Sequence, residues 1–276
     1  MSVTFEFGEH VDATLNYLAS SEKRPIFYAY PAPSGVPQYG GEVAAKRLPI
    51  FNARVRSEPP SLDSNGCQLV AHHSRVSDIS DEKTIRDVYY PETEDLIRKV
   101  TGAAKVVIFD HTLRYALPGH GEEGVREPVR RIHNDRTFVS GPRRVRDHLP
   151  PREAEERLKH RFAIINVWRP IAHPVENFPL ALCDARSIDP EDLVPSDLVY
   201  RDKVGEVYSF LHHPRHHWSY FPRLTPDGVV LLKIYDSRVD GTARLTAHTS
   251  FEDPTSPPQA SPRRSIELRT LTFFAD

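Results

Sequence analysis

From residue 105 onward, the chain is a series of short runs in which apolar and polar side chains alternate, separated by Pro, Gly and Asp. Side chains two positions apart on a strand share a face, so this alternation predicts strands with one buried face. Eight strands are predicted, at residues 105–114, 125–135, 162–171, 180–188, 206–212, 229–236, 246–251 and 265–274. Eight short strands joined by rigid turns are typical of a double-sheet jelly roll of the cupin kind.

The first hundred residues show a less regular pattern. Val11, Leu15 and Leu18 recur at helical spacing and predict a short amphipathic helix over residues 9–20. Short strands are predicted at residues 50–54 and 67–70, and a further helix near residues 151–160. A longer helical region is predicted over residues 80–102. Ser80 and Asp81 can cap its start, Pro91 can begin a second helical segment, and Gly102 can end it.

These elements predict a mainly β protein with an α+β periphery. The expected architecture is a double-stranded β-helix, jelly-roll or cupin-like, with N-terminal helices packed on it. A length of 276 residues suits one large β domain. We therefore expect a single domain over 1–276, with an N-terminal helical and extended jacket at 1–104 and a jelly-roll core at 105–276.

Composition narrows the possible partners. The net charge of −2 comes from interspersed basic and acidic residues, which favours neither nucleic acid nor an anionic membrane surface. The chain has only two cysteines, no apolar run of about 18 residues and no basic, apolar leader at its start. A cytoplasmic enzyme acting on a small molecule is expected, and the oligomeric state stays open.

One stretch near the end of the second predicted strand carries candidate chemistry. His133 and Asp135 are two residues apart, so on a strand they point to one side. His248 lies 115 residues later, on the seventh predicted strand. Two imidazoles and one carboxylate form the facial triad of non-haem Fe(II) oxygenases, which leaves three metal positions open. The competing interpretation is a solvated turn at Asp135 and a hydrogen-bonded core histidine at 133.

A 2-oxo acid can occupy two of those open positions, leaving the third for O₂. Its distal carboxylate needs a partner, and the planar fork of arginine pairs with carboxylates through two hydrogen bonds. Arg263 follows His248 by fifteen residues, and Ser265 shares its face of the strand. This order favours 2-oxoglutarate as the co-substrate. Arg269, further along the same face, is the second candidate for the anchor.

Other polar and aromatic residues are candidates for the surrounding pocket. Asn166 and Arg169 are predicted to contact the cofactor, the latter if Pro170 bends its strand. The remaining candidates, for contact with the substrate, are Trp168, His213, Arg136 and Lys233. The alternative interpretation is structural: Trp168 packs in the core, and Arg169 forms a salt bridge at the rim of the pocket. The histidines around Pro214 lack a carboxylate among them and are interpreted as a rim loop rather than a metal site.

Several common enzyme classes are excluded by their missing motifs. No Walker-type phosphate loop, dinucleotide fingerprint, Gly-x-Ser-x-Gly elbow or Cys-x-x-Cys pair occurs. Two alternatives to an oxygenase remain open. One is a metal-dependent isomerase that uses the same fold without oxidation, and the other is an accessory binding protein.

Several short motifs, spread along nearly the whole chain, together resemble those of one known family. They include His133-Asn134-Asp135, Asn166-Val167-Trp168-Arg169-Pro170, His248-Thr249-Ser250-Phe251-Glu252-Asp253-Pro254 and Pro262-Arg263-Arg264-Ser265. The chain resembles the Fe(II)/2-oxoglutarate-dependent hydroxylases and desaturases that include fungal gibberellin desaturase, the aspergillic-acid-type hydroxylase and the cephalosporin 7α-hydroxylase component. The resemblance implies hydroxylation or desaturation of a secondary metabolite, with His133, Asp135 and His248 as iron ligands. Ala247, where the family often has Pro, is a departure beside the triad and not within it.

Overall fold

Two β-sheets face each other in the computed structural model, which describes residues 9–76, 79, 81–116 and 125–275. The described residues form fifteen strands, nine in one sheet and six in the other. The nine-stranded sheet has the order β1-β3-β12-β9-β14-β7-β11-β10-β2, and the six-stranded sheet has the order β4-β13-β8-β15-β5-β6. The prediction of a mainly β double-stranded β-helix is confirmed.

The nine-stranded sheet is built largely from short strands. In chain order its members are β1 (His10–Leu18), β2 (Ile26–Tyr28), β3 (Val43–Asn52), β7 (His133–Asn134), β9 (Leu180–Cys183), β10 (Leu193–Val199), β11 (Val204–Phe210), β12 (Trp218–Tyr220) and β14 (His248–Ser250). The chain-distant strands β7 and β14 are neighbours near its middle.

The six-stranded sheet contains the longest and most buried strands. They are β4 (Cys67–Ala71), β5 (Lys105–Tyr115), β6 (Val125–Arg126), β8 (Phe162–Pro170), β13 (Gly228–Asp236) and β15 (Arg264–Phe273). β15 lies between β5 and β8 and pairs antiparallel with both. Residues before Lys105 thus supply strands to both sheets as well as helices.

Helices cover part of this scaffold. Residues 82–101 form α1 (Glu82–Thr84), a π-helical turn at Ile85–Tyr89 and α2 (Tyr90–Thr101). The Asp81 carboxylate accepts a hydrogen bond from the Thr84 amide at the start, and Gly102 ends α2 with a left-handed φ of 72°. The predicted helical region and both of these caps are confirmed, while Ser80 lies outside the described residues. Two more helices follow, α3 (Ser140–His148) and α4 (Pro151–Arg157), of which only α4 is predicted by the sequence pattern.

Strand alternation divides the core into layers. On β8, Ile164 and Trp168 belong to the cluster between the sheets, whereas Ile165 and Val167 pack with Ile97 of α2 on the outer face. Polar side chains on the inner face of the six-stranded sheet can therefore face the strands that carry His133 and His248. No helix among the described residues is long and apolar enough to cross a bilayer.

Two predicted elements are wrong. Residues 9–20 form strand β1 rather than a helix, because Ala13, Leu15 and Tyr17 are buried at alternate positions and the segment pairs with β3. The single strand predicted at residues 125–135 does not form. In the structure this segment contains two short strands, β6 and β7, in different sheets.

Candidate active site

The metal-ligand candidates meet across neighbouring strands. His248 on β14 is the direct cross-strand partner of His133 on β7, and their ring centroids are 4.4 Å apart. Asp135 follows β7 immediately, and its Oδ1 lies 3.5 Å from Nε2 of His133. One ligand atom from each of the three residues can be chosen so that all lie within 4.8 Å of one another. This spacing is suited to a single metal ion.

Backbone carbonyls determine which imidazole nitrogen is available. Nδ1 of His133 donates to the carbonyl of Arg131 at 2.8 Å, and Nδ1 of His248 donates to the carbonyl of Thr246 at 3.3 Å. Both rings therefore keep Nε2 for a metal. An imidazole held through its second nitrogen is the usual arrangement of a protein metal ligand.

The protonation states also suit a metal. Burial lowers the pKa of His248 to about 4, and the neighbouring His133 adds to this effect, so the ring is neutral near pH 7. Burial acts to raise the pKa of Asp135. The contact with His133 and the charge of Arg269 outweigh it and hold that pKa well below its usual range. A neutral imidazole and an ionised carboxylate are the forms that bind Fe(II).

The second carboxylate oxygen of Asp135, Oδ2, is fixed by two hydrogen-bond donors. Nδ2 of Asn166 donates to Oδ2 at 2.8 Å, and Nε of Arg269 donates to the same oxygen at 3.2 Å. Glu267 joins the two donors, because its Oε1 accepts from Asn166 at 2.9 Å and lies 3.0 Å from Nη2 of Arg269. Oδ1 is thereby left on the side of the imidazoles, 3.5 Å from Nε2 of His133, as a candidate ligand oxygen.

Arg263 is a buried cation that has no acidic partner within the described ranges. The residue is 2% exposed, its Nη1 donates to the Phe178 carbonyl at 2.5 Å, and its Nε has no hydrogen-bond partner. Burial lowers its pKa to about 9, and the charge of Arg114 contributes. Its guanidinium carbon lies 5.5 Å from the centre of the Trp168 ring. An unpaired buried guanidinium of this kind is suited to an incoming carboxylate.

Comparisons with known proteins agree with this geometry. A sequence profile described as "Oxidoreductase/YMDC permease-like domain" matches residues 15–273. The hydroxylase/desaturase efuI of Hormonema carpetanum is 34% identical over 239 residues, covering 78% of this chain and 79% of the relative. The hydroxylase/desaturase CTB9 of Cercospora beticola is 33% identical over 267 residues, covering 86% and 82%. The chain belongs to the hydroxylase/desaturase family.

Relatives named for their cofactors match as well. The Fe(II)/2-oxoglutarate-dependent dioxygenase nvfI of Aspergillus novofumigatus is 30% identical over 259 residues, covering 91% of both chains. A solved structure of the iron and alpha-ketoglutarate-dependent endoperoxidase NvfI superposes with a TM-score of 0.84 at 26% identity, covering 97% of this chain and 99% of that one. The hydroxylase/desaturase family and the solved fold therefore both point to an iron-dependent oxygenase.

Some predicted site residues join the metal-ligand candidates. Asn166 and Arg269 contact Asp135, as described above, and Trp168 lies beside Arg263. Ser265 is buried on the same face of its strand as Glu267, and its hydroxyl donates weakly to the Arg114 carbonyl at 3.4 Å. Arg136 follows Asp135 directly and is 7% exposed.

Three predicted site residues lie elsewhere. Arg169 points to the outer face of β8, where it donates to the His72 carbonyl and lies over the Tyr89 ring. Pro170 does not bend the strand enough to turn Arg169 inward. Lys233 is buried in an ion pair, 3.0 Å from Asp236. His213 packs near His216, in a histidine cluster held by Tyr17 and Asp192.

Glu267 is the main site residue that is absent from the sequence-based candidates. Its neighbour across the strand pair, Thr112, accepts a hydrogen bond from Arg269 at 2.9 Å, and Asp110 lies 3.1 Å from the same guanidinium. The alternation of Arg263, Ser265, Glu267 and Arg269 with apolar residues is a usable signal, because it marks one polar face on an otherwise buried strand.

Proposed function

We propose that His133, Asp135 and His248 hold Fe(II), and that Arg263 anchors 2-oxoglutarate, in an oxygenase that hydroxylates or desaturates a small-molecule secondary metabolite. The observation that carries this proposal is the convergence of one ring nitrogen from each histidine and one carboxylate oxygen within 4.8 Å. A His₂-carboxylate set on one face leaves positions for a co-substrate and O₂. The relatives named as hydroxylase/desaturases and Fe(II)/2-oxoglutarate-dependent dioxygenases support it.

Bound Fe(II) with 2-oxoglutarate supplies the oxidation: O₂ is consumed, 2-oxoglutarate becomes succinate and CO₂, and the substrate gains a hydroxyl group or loses two hydrogens. The protein supplies position and environment. Carbonyl-bound Nδ1–H groups fix both imidazoles, and Asn166 with Arg269 fixes Asp135. Because these partners are already in place, the ligands need little rearrangement to bind the metal.

The role of Arg263 follows from its unsatisfied charge. Its Nε is buried without a partner, and Trp168 covers the guanidinium at 5.5 Å. A distal carboxylate of 2-oxoglutarate would pair with this fork and would compensate the buried charge. Arg269 is less suited to that task, because Asp135, Asp110 and Glu267 already surround it.

Anaerobic titration with Fe(II) and then 2-oxoglutarate tests the proposal. We expect 1:1 metal binding, a visible charge-transfer band, and succinate formation once O₂ is admitted. Absence of both the band and succinate would contradict the oxygenase function. It would instead favour the accessory-protein alternative, and turnover without 2-oxoglutarate would favour the isomerase.

Replacement of Arg263 separates the co-substrate anchor from the metal site. Arg263→Met should weaken 2-oxoglutarate binding by about 10- to 100-fold, the usual effect of losing a charged hydrogen-bond donor, and leave the affinity for Fe(II) nearly unchanged. Arg169→Met is the matched control, because this arginine is also buried but lies on the outer face of the sheet. An equal loss in both variants would argue against a specific anchor.

We further propose that residues 1–276 form one catalytic domain that acts in the cytoplasm on a small molecule. Both cysteines, Cys67 and Cys183, are free and buried, which supports a reducing compartment.

A further inference from the structure

A second buried and unpaired arginine lies at the proposed iron centre. Arg136 is 7% exposed, and no carboxylate of the described residues forms an ion pair with it. Its Nη1 donates to the backbone carbonyl of Asp135 at 2.6 Å, while its Nε has no hydrogen-bond partner. Nε and Nη2 form one edge of the guanidinium, the edge that binds a carboxylate side-on.

The charges around Arg136 compensate it only in part. The positive charges of Arg144 and Arg269 act against the charge of Arg136. The carboxylate of Asp135 opposes them, but it already accepts hydrogen bonds from Asn166 and Arg269. A buried cation with so little compensation is costly to the folded protein, and a bound anion would offset that cost.

Arg136 and Arg263 have different charged neighbours. Arg263 interacts electrostatically with Arg114 and Glu267, whereas Arg136 interacts with Asp135 and Arg269. Arg263 and Arg269 are six residues apart along extended chain, which corresponds to roughly 20 Å. A molecule of 2-oxoglutarate that pairs with Arg263 would therefore leave Arg136, which has Arg269 and not Arg263 among its charged neighbours, without a carboxylate.

The candidate metal ligands next to Arg136 in the chain are partly exposed. The side chains of His133 and Asp135 are 17% and 15% exposed, and Asp110, beside Arg269, is 55% exposed. A small molecule that reaches the exposed part of the Asp135 side chain would therefore lie close to Arg136, whose Nη1 already contacts the Asp135 carbonyl.

We propose that Arg136 binds a carboxylate group of the primary substrate, so that this enzyme oxidises a carboxylic acid. The inference rests on the proposed oxygenase function and names the substrate class for the same site. Arg136 acts as a specificity-determining residue: it pairs with the acid group and thereby fixes which carbon lies over the metal.

The test uses the full-length protein loaded with Fe(II) and saturating 2-oxoglutarate in the absence of O₂. The probes are formate, acetate and benzoate, each compared with its neutral match formamide, acetamide or benzamide. The charge-transfer band and the thermal unfolding midpoint report binding. We expect at least one carboxylate to give a saturable change in both, and its amide to give none.

Variants assign the effect to Arg136. Arg136→Met should lower the apparent carboxylate affinity by at least about tenfold and change 2-oxoglutarate affinity less than about twofold. Arg136→Lys keeps the positive charge but lacks the planar guanidinium. Its carboxylate affinity should therefore lie between those of the wild type and Arg136→Met. Arg144→Met is the matched control, since Arg144 is a nearby cation already paired with Asp147 at 3.1 Å, and it should keep near-normal affinity.

The possible results are distinct. The inference is overturned by equal responses to acids and amides, by no saturable response to any carboxylate, or by an equal loss in Arg144→Met. A tenfold weaker binding of 2-oxoglutarate in Arg136→Met would assign this arginine to the co-substrate and overturn it too. A lower unfolding midpoint of unloaded Arg136→Met would indicate a structural role and also overturn it. If the wild-type protein forms no charge-transfer band at all, the oxygenase function itself has failed.

Discussion

At the scale of single residues, Arg263 and Arg269 have different surroundings although they lie on the same face of the sheet. Arg269 belongs to β15, and Arg263 comes directly before it. Arg263 has no acidic partner among the described residues, whereas Arg269 is surrounded by Asp110, Asp135 and Glu267. The sequence predicts three candidate iron ligands from their order and spacing, and the structure brings those residues together. The sequence alone cannot show which of the two arginines is paired with acidic residues. That depends on the register of β15 against β8, where Arg269 lies opposite Asn166.

Arg269→Met tests the support of Asp135. Without its guanidinium, Asp135 loses one of the two donors that hold Oδ2, and Glu267 is left with Asn166 alone. We expect Co(II) affinity, measured by anaerobic titration, to fall by about 10- to 100-fold, as for other residues that orient metal ligands. Arg264→Met, an exposed neighbour on the same strand, is the control and should bind Co(II) normally. Unchanged affinity in both variants would contradict this role.

Lys233 illustrates a polar residue whose chemistry is structural. Its ammonium lies 2.6 Å from Asp63 and 3.0 Å from Asp236, which is fully buried. Lys233→Met leaves part of that buried negative charge to Arg161 alone, so the free energy of unfolding should drop by about 3 kcal/mol in urea denaturation. Lys83→Met removes an exposed pair and should have little effect. Substrate selectivity should be the same in Lys233→Met as in the wild type.

At the scale of elements, alternation predicts the long strands of the six-stranded sheet well. β5, β8, β13 and β15 each begin and end within one residue of the predicted bounds. The pattern fails in the nine-stranded sheet because its strands are short or ambiguous. Val11, Leu15 and Leu18 fit a helical period, but burial at 13, 15 and 17 shows that sheet pairing decides the structure. β12 has only three residues, too few to show a period.

Helix α3, which follows β7 in the chain, packs on the core through a close contact. A Cβ atom on Gly141 would lie 2.5 Å from Cδ2 of Tyr235, whose ring is stacked on Phe162 and cannot easily move. Gly141→Ala should therefore destabilise the protein by about 1–3 kcal/mol in urea denaturation, through overpacking. In Gly205→Ala the nearest atom is 3.4 Å away, so this control should be tolerated. Equal stability of the two variants would show that α3 can shift freely.

At the scale of the whole molecule, the ligand set joins distant parts of the chain. β7 and β14 are neighbours in the sheet although His133 and His248 are 115 residues apart. A ligand that binds only the folded state stabilises it, by about 2.7 kcal/mol at 100 times its dissociation constant. Co(II) should therefore raise the thermal midpoint, and a chelator should reverse the rise. His133→Ala should show no such rise; if it does, the metal binds elsewhere.

The direct pairing of His133 with His248 has a consequence for how the family can change in length. Successive strand residues point to opposite sides, so one residue inserted or deleted just before either histidine would turn that imidazole away from its partner and disrupt the proposed metal site. The Pro- and Ser-containing loop at 253–263 lies after both histidines and carries no such constraint on them. Relatives that keep oxygenase activity should therefore differ in length within that loop and show no single-residue gaps beside the paired histidines.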